Sequence, residues 1–239
     1  MKILCVDTST RSLCLGVSDS DKVYEYELEL GTRISALLVP TIKRVLESLG
    51  WKISVIDYFC AGIGPGSFTG IRVGLSTLKA LSWSLNKPLV GIPSLDILAQ
   101  NAISKAVFII PVIDAKRGLV YSSIYKVQAQ ELKRVSGYLL SNPGDLVQKI
   151  REKIPAKAFK DSVMLGDGLN ICCKECSAGL KGMKFLDKDY WRLEGRHLIE
   201  LAKLFIQDKK SRNAFGVEPL YLYPKECQIR QKKNKKSDI

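Results

Sequence analysis

The feature that most constrains this chain is a repeat of element order without a repeat of residues. Near the start, Ile3-Leu4-Cys5-Val6-Asp7-Thr8 is an apolar run closed by an aspartate and a small residue. Near the middle, Ile109-Ile110-Pro111-Val112-Ile113-Asp114-Ala115 closes in the same way. Behind the first run, apolar periodicity and turn residues predict strands over 2–7, 13–18 and 23–29, a helix over 35–49 and a strand over 58–64. A helix over 69–85, a strand over 88–92 and a helix from Ser94, capped by its own hydroxyl, complete that half. Behind the second run the same order returns. Strands are expected over 106–114, 119–127 and 132–140, a helix over 143–154, a strand over 162–166, a short helix, a weak strand over 183–186 and a helix over 196–208.

Two βββαβαβα halves, each with an aspartate ending its opening strand, describe an α/β, two-lobed actin-like (ASKHA, ribonuclease H-like) fold. The expected division is a first lobe over 1–105, a second over 106–215, a segment 216–224 rejoining the first lobe, and a basic, flexible tail over 225–239. The longest apolar runs stop well short of a bilayer span, so no membrane segment is expected. The first residues, with Asp7 so early, lack a secretory h-region. A cytoplasmic location is therefore expected, with the seven cysteines reduced. The formal charge is +13. Six cations against Glu226 and Asp238 place +4 of it over 225–239, so the larger share lies in the body. Such a balance favours contact with polyanions such as tRNA, through the basic surface or the tail, and says nothing of chemistry.

The most distinctive local segment is Gly64-Pro65-Gly66-Ser67-Phe68-Thr69-Gly70, followed by Ile71-Arg72-Val73-Gly74. Its glycines make a tight exit from a strand, and Ser67 or Thr69 can cap the next helix. Free N–H groups at a helix start can hold an anion, but a Walker loop requires Gly-Lys-Ser/Thr where this chain has Gly70-Ile71-Arg72. In the helix that follows, Ile71, Leu75, Leu78, Leu81 and Leu85 form one stripe. Val73, Gly74, Thr77, Ala80 and Ser84 form a second, small-residue surface that admits another helix at close range. The first helix offers Leu38, Ile42 and Val45 beside it, while Pro40 is expected to kink it.

These segments resemble the TsaB (YeaZ) family. The opening strand through Thr10, the run from Gly62 to Gly74, Ile113-Asp114-Ala115-Lys116-Arg117-Gly118 with Val120-Tyr121, and Val217-Glu218-Pro219-Leu220-Tyr221-Leu222 match it in order and spacing. The resemblance spans nearly the whole chain up to about Tyr223, and the glycine block is its most specific part. It implies a role in forming threonylcarbamoyladenosine beside the anticodon of tRNA. It further implies that the active site belongs to a TsaD-like subunit of similar fold, that a TsaE-like ATPase joins the two, and that the two N-lobe helices form the heterodimer surface or, in isolation, a homodimer.

The same resemblance implies a partner and not a catalyst. The related catalytic subunits share a His-x-x-x-His metal pair on the first helix, whereas residues 32–39 hold no histidine and Ile34 stands where relatives often keep one. His197, the single histidine, is expected to be a surface or packing residue and not a ligand. Lys116 and Arg117 follow Asp114 where a nucleotide-binding turn needs glycine, and Asp167 interrupts Gly166-Asp167-Gly168. Asp7 and Asp114 are expected to cap turns, the alternative being a relic ion site. Cys172, Cys173 and Cys176 provide too few ligands for a structural zinc. No cofactor is expected for this chain alone, with ATP used by its partners. The competing reading is an independent actin-like ATPase or metalloprotease-like enzyme.

Overall fold

The computed structural model describes residues 1–29 and 31–223; the expected tail over 225–239 lies outside the described residues. Strands β1 (Lys2–Asp7), β2 (Ser12–Asp19) and β3 (Lys22–Glu29) form an antiparallel meander, to which β4 (Tyr58–Gly62) and β5 (Leu89–Ile92) add in parallel. The sheet order is β3-β2-β1-β4-β5. A second sheet is built from β6 (Phe108–Lys116), β7 (Leu119–Ser122), β8 (Tyr125–Gln128), β9 (Glu131–Arg134), β10 (Leu139–Ser141), β11 (Ser162–Leu165) and β12 (Lys184–Phe185). Its main path, β10-β7-β6-β11-β12, repeats the first order strand for strand.

The second half departs from the expected strands at two places. Residues 119–127 are two strands, because the chain leaves β10's neighbour β7 at Ser123 and Ile124 and re-pairs as β8 with the start of β6, Ile109 opposite Tyr125. Residues 132–140 likewise divide into β9, which completes a hairpin with β8, and β10, which pairs with β7. Ser122-Ser123 and Ser136-Gly137 interrupt the two stretches near where the partner changes.

Helices α1 (Ile34–Ser48) and α2 (Phe68–Ser84) cover one face of the first sheet, and α4 (Pro143–Lys153) and α5 (Leu169–Gly179) cover one face of the second. Helices α3 (Ser94–Gln100) and α6 (Gly195–Gln207) lie between the sheets. Strand alternation produces these layers. β1 sends Leu4 and Val6 toward α1 and α2, and Ile3 and Cys5 to the middle layer. β6 sends Ile110 and Val112 toward α4 and α5, and Ile109 and Ile113 to the middle.

The middle layer is shared. α3 belongs to the first half by sequence but packs on β6, and α6 belongs to the second half but packs on β1, β2, β3 and β5. A boundary at 105/106 therefore separates the sheets but not the cores. Gly16 and Gly195 permit the close crossing of α6 on β2: a Cβ on Gly16 would stand 2.7 Å from the Gly195 carbonyl oxygen, and one on Gly195 2.8 Å from the Leu15 carbonyl oxygen. α1 buries Ile34, Leu38, Ile42 and Leu46 at helical spacing and runs through the exposed Pro40 as one helix.

Candidate functional site

The first-half aspartate and the glycine segment form one structure. Asp7 is fully buried; its Oδ1 accepts the Ser9 N–H at 2.6 Å and its Oδ2 accepts the Ser94 hydroxyl at 2.6 Å. Burial holds the Asp7 carboxyl above its ordinary pKa, against the opposing pull of those hydrogen bonds. Ser94 therefore does not cap α3. Pro93 occupies the N-cap position, and the Ser94 hydroxyl, which also accepts the Gly64 N–H at 3.2 Å, serves Asp7.

The glycine segment rests on the residues after Asp7. Ser67 N–H donates to the Ser9 carbonyl at 2.6 Å, and the Thr8 hydroxyl donates to the Gly70 carbonyl at 2.6 Å. A Cβ on Gly70 would lie 1.9 Å from the Thr8 carbonyl oxygen, so only glycine permits this contact. Of the two expected caps, Ser67 is the one used: its Oγ accepts the Gly70 N–H at 3.2 Å. Phe68 opens α2, and Thr69 is exposed on its first turn.

The second-half counterpart is closed by charge. Asp114 accepts the Lys116 N–H at 2.7 Å with one oxygen and pairs with the Lys116 ammonium through the other. Arg117 and Gly118, at φ 56° and 74°, make the tight turn between β6 and β7, so Lys116 folds back on Asp114 and Arg117 is exposed. Asp167 Oδ1 accepts the Asp114 N–H at 2.9 Å. Burial, reinforced by the neighbouring Asp114 charge, raises the Asp167 pKa. Both strand-end aspartates thus cap turns.

The expected helix surface divides into interior and exterior. Leu38 and Ile42 are buried in the core between α1, α2 and the first sheet. A Cβ on Gly74 would meet the Thr8 hydroxyl at 2.3 Å. These three residues face inward and are corrected out of any outer surface, because the α1 stripe and the close approach of α2 to β1 consume them. Val45, Val73 and Thr77 are half-buried, and Ala80 and Ser84 are exposed. Val39 of α1 is 56% exposed. Only Arg72 and Lys79 carry charge on α2.

On the far flank of α2, the Arg72 guanidinium lies 3.7 Å from the Phe68 ring centroid, and its Nε donates to the Tyr221 hydroxyl at 3.0 Å. Val217 is buried in the first-sheet core and Leu220 N–H donates to the Ile63 carbonyl, so the late segment runs along this lobe. The sequence reading passed over Trp83 and Phe215, 69% and 71% exposed. Trp83 did carry a signal: an aromatic two residues out of phase with the α2 leucine stripe.

His197 Nδ1 lies 3.0 Å from Glu200, and its ring packs beside Glu194. Cys172 and Cys176 are buried one turn apart on α5 while Cys173 points outward. No group of three or more His, Cys, Asp or Glu side chains among the described residues is placed to share one metal ion. No helix among them is long and apolar enough to cross a membrane.

A protein-family model described as TsaD: tRNA N6-adenosine threonylcarbamoyltransferase matches residues 32–182. The tRNA threonylcarbamoyladenosine biosynthesis protein TsaB of Bacillus subtilis is 31% identical over 154 residues, 64% of this chain and 67% of that one. Its namesake from Buchnera aphidicola subsp. Schizaphis graminum is 30% identical over 189 residues, 77% of this chain and 87% of that one. The crystal structure of an uncharacterized Pseudomonas aeruginosa protein, described as similar to peptidase YEAZ, superposes with a TM-score of 0.79 at 23% identity. That match covers 93% of this chain and 99% of the other, and it shows a common fold.

Proposed function

This chain belongs to the TsaB (YeaZ) family of tRNA threonylcarbamoyladenosine biosynthesis proteins, and from that premise we propose that it is a non-catalytic subunit supporting a TsaD-type threonylcarbamoyltransferase. The observation that carries the reading is the outer face of α1 and α2. On α2, Val73, Thr77, Ala80 and Ser84 fall on one helical stripe of small, uncharged side chains, with Val73 and Val45 of α1 packed against the core beneath and Lys43, Arg44 and Glu47 exposed on α1. A monomer gains nothing from leaving such a face bare, whereas a second helix pair packs closely on it.

The state of the two strand-end aspartates and of Asp167 supports the same reading. Asp7 is occupied by Ser9 and Ser94, and Asp114 by its own turn and Lys116. The Gly166–Gly168 turn carries the Asp167 carboxylate, which would repel a phosphate. In this reading the chain works in the cytoplasm, binds no cofactor of its own, and leaves ATP to the TsaD-like subunit and a TsaE-like ATPase. In their absence the same face pairs two copies.

Calorimetric titration of the purified chain with Mg-ATP, alongside a threonylcarbamoyl-transfer assay, tests the proposal. The chain alone should give neither heat of binding at micromolar ligand nor product, and should raise the activity of a TsaD-type subunit when added to it. Micromolar ATP binding with turnover by the chain alone would establish the ATPase reading instead.

A further inference from the structure

A groove of about 440 Å³ runs between the C-terminal end of α2 and residues 211–215. Trp83 stands on one wall and Phe215 on the other, two of the most exposed large apolar side chains described. Lys87 and Arg212 are the charged residues lining it, Asn86 and Asn213 add amides, and no carboxylate is among its lining residues. The walls are fixed. Arg212 and Leu89 exchange two backbone hydrogen bonds at 2.8 Å, and Asn213 Oδ1 accepts the N–H groups of Phe215 and Gly216 at 3.1 and 2.9 Å. Arg212 donates to the carbonyls of Ser211 and Lys209 at the rim, and Lys87 has Asp57 at 3.9 Å.

The chemistry continues along α2. A second depression, lined by Arg72, Lys79, Pro219 and Tyr221 among others, also lacks a carboxylate. Flat apolar rings interleaved with cations complement a polyanion that carries flat faces of its own, namely unpaired nucleotides. An acidic peptide would use the cations and leave the rings in water. The chain's formal charge of +13 points the same way. On the helix, Trp83 shares a flank with Arg72, Ser76 and Lys79, and Ala80, three residues before it, is its neighbour at the edge of the Thr77 and Ser84 face.

We propose that this groove binds a single-stranded segment of RNA, its bases stacking on Trp83 and Phe215 and its phosphates meeting Lys87 and Arg212. The inference rests on the reading that the chain works on tRNA within a complex. The test uses fluorescence anisotropy of the full chain, alone and with its TsaD-type partner, against an unmodified tRNA transcript and a labelled hexauridylate. W83A/F215A should weaken binding of both probes about tenfold or more, and W83F should restore most of the tryptophan's share. K87Q/R212Q should lower the slope of log K against log salt by about 1.4, two single-strand phosphate contacts. Partner retention, followed in parallel, should not change. Wild-type RNA affinity and salt slope in both double variants would overturn the proposal. Loss of the partner with RNA binding intact would overturn it too, making the groove a protein-docking face. Loss of RNA binding in a chain that never pairs with a TsaD-type subunit would uphold this inference while removing the partner reading.

Discussion

Replacing Gly70 with alanine tests whether the glycine segment exists to fit α2 against the first strand. The added Cβ would stand 1.9 Å from the Thr8 carbonyl oxygen. Non-bonded heavy atoms prefer roughly 3.5 Å, so α2 and the β1 turn must separate by about 1.5 Å. That movement breaks the Thr8 to Gly70 and Ser67 to Ser9 hydrogen bonds, both 2.6 Å long. Losing two such bonds at a packed junction costs about 2–3 kcal/mol, and residual overpacking about 1–3 more. Alanine returns only about 1 kcal/mol of helix propensity. The net expectation is a loss of about 3 kcal/mol, or roughly 6–12 °C in a domain of this size. Gly144, the second residue of α4, is the control. A Cβ there would meet only Asn142 Oδ1 at 3.4 Å, and G144A should stabilise by up to about 1 kcal/mol. Urea titration followed by circular dichroism measures both. G70A within about 1 kcal/mol of wild type would refute the close-approach argument.

Other perturbations separate interior from surface. Leu38→Ala, at a fully buried position, should cost about 2–5 kcal/mol by urea denaturation while leaving partner affinity of the folded protein within about threefold; a large affinity loss without destabilisation would return Leu38 to the interface. Asp96 accepts the Tyr125 and Tyr138 hydroxyls at 2.5 and 2.7 Å, and burial raises its pKa from the ordinary 3.8 despite those bonds and the nearby Arg134 and Lys210 charges. A raised carboxylate favours folding when protonated, so its contribution is present below about pH 4 and is lost as pH rises through the folded-state value. Relative to D96N, which keeps an acceptor for both tyrosines, wild type should therefore gain stability as pH falls toward 4; a difference that stays constant from pH 4 to 8 would contradict the assignment.

The duplicated architecture was legible because it is written in strand alternation and in the two strand-end aspartates, both local signals. The sharing of α3 and α6 was not. Nothing within the α6 sequence says that it returns to the first sheet; the reason lies in Gly195 meeting the backbone at Leu15, a contact across the whole chain. Ser94 illustrates the same limit, since its hydroxyl suits a cap but is claimed by Asp7, 87 residues away. On the two helices, Leu38, Ile42 and Gly74 are expected on an outer surface but lie inside: Leu38 and Ile42 belong to the buried α1 stripe, and Gly74 meets Thr8, a contact no helical wheel can show. Trp83 and Phe215 were passed over because each lies far in sequence from the other wall of its groove.

The partner surface is tested most directly by Ala80→Arg, at an exposed position on the small-residue face of α2 where the longer side chain disturbs no internal packing. Co-purification and calorimetry with a TsaD-type subunit should show a hundredfold or greater loss of affinity, about 3 kcal/mol, from burying an unpaired charge. The melting temperature of the isolated chain should stay within about 2 °C of wild type. Full retention of the TsaD-type subunit by a folded A80R chain would contradict the account.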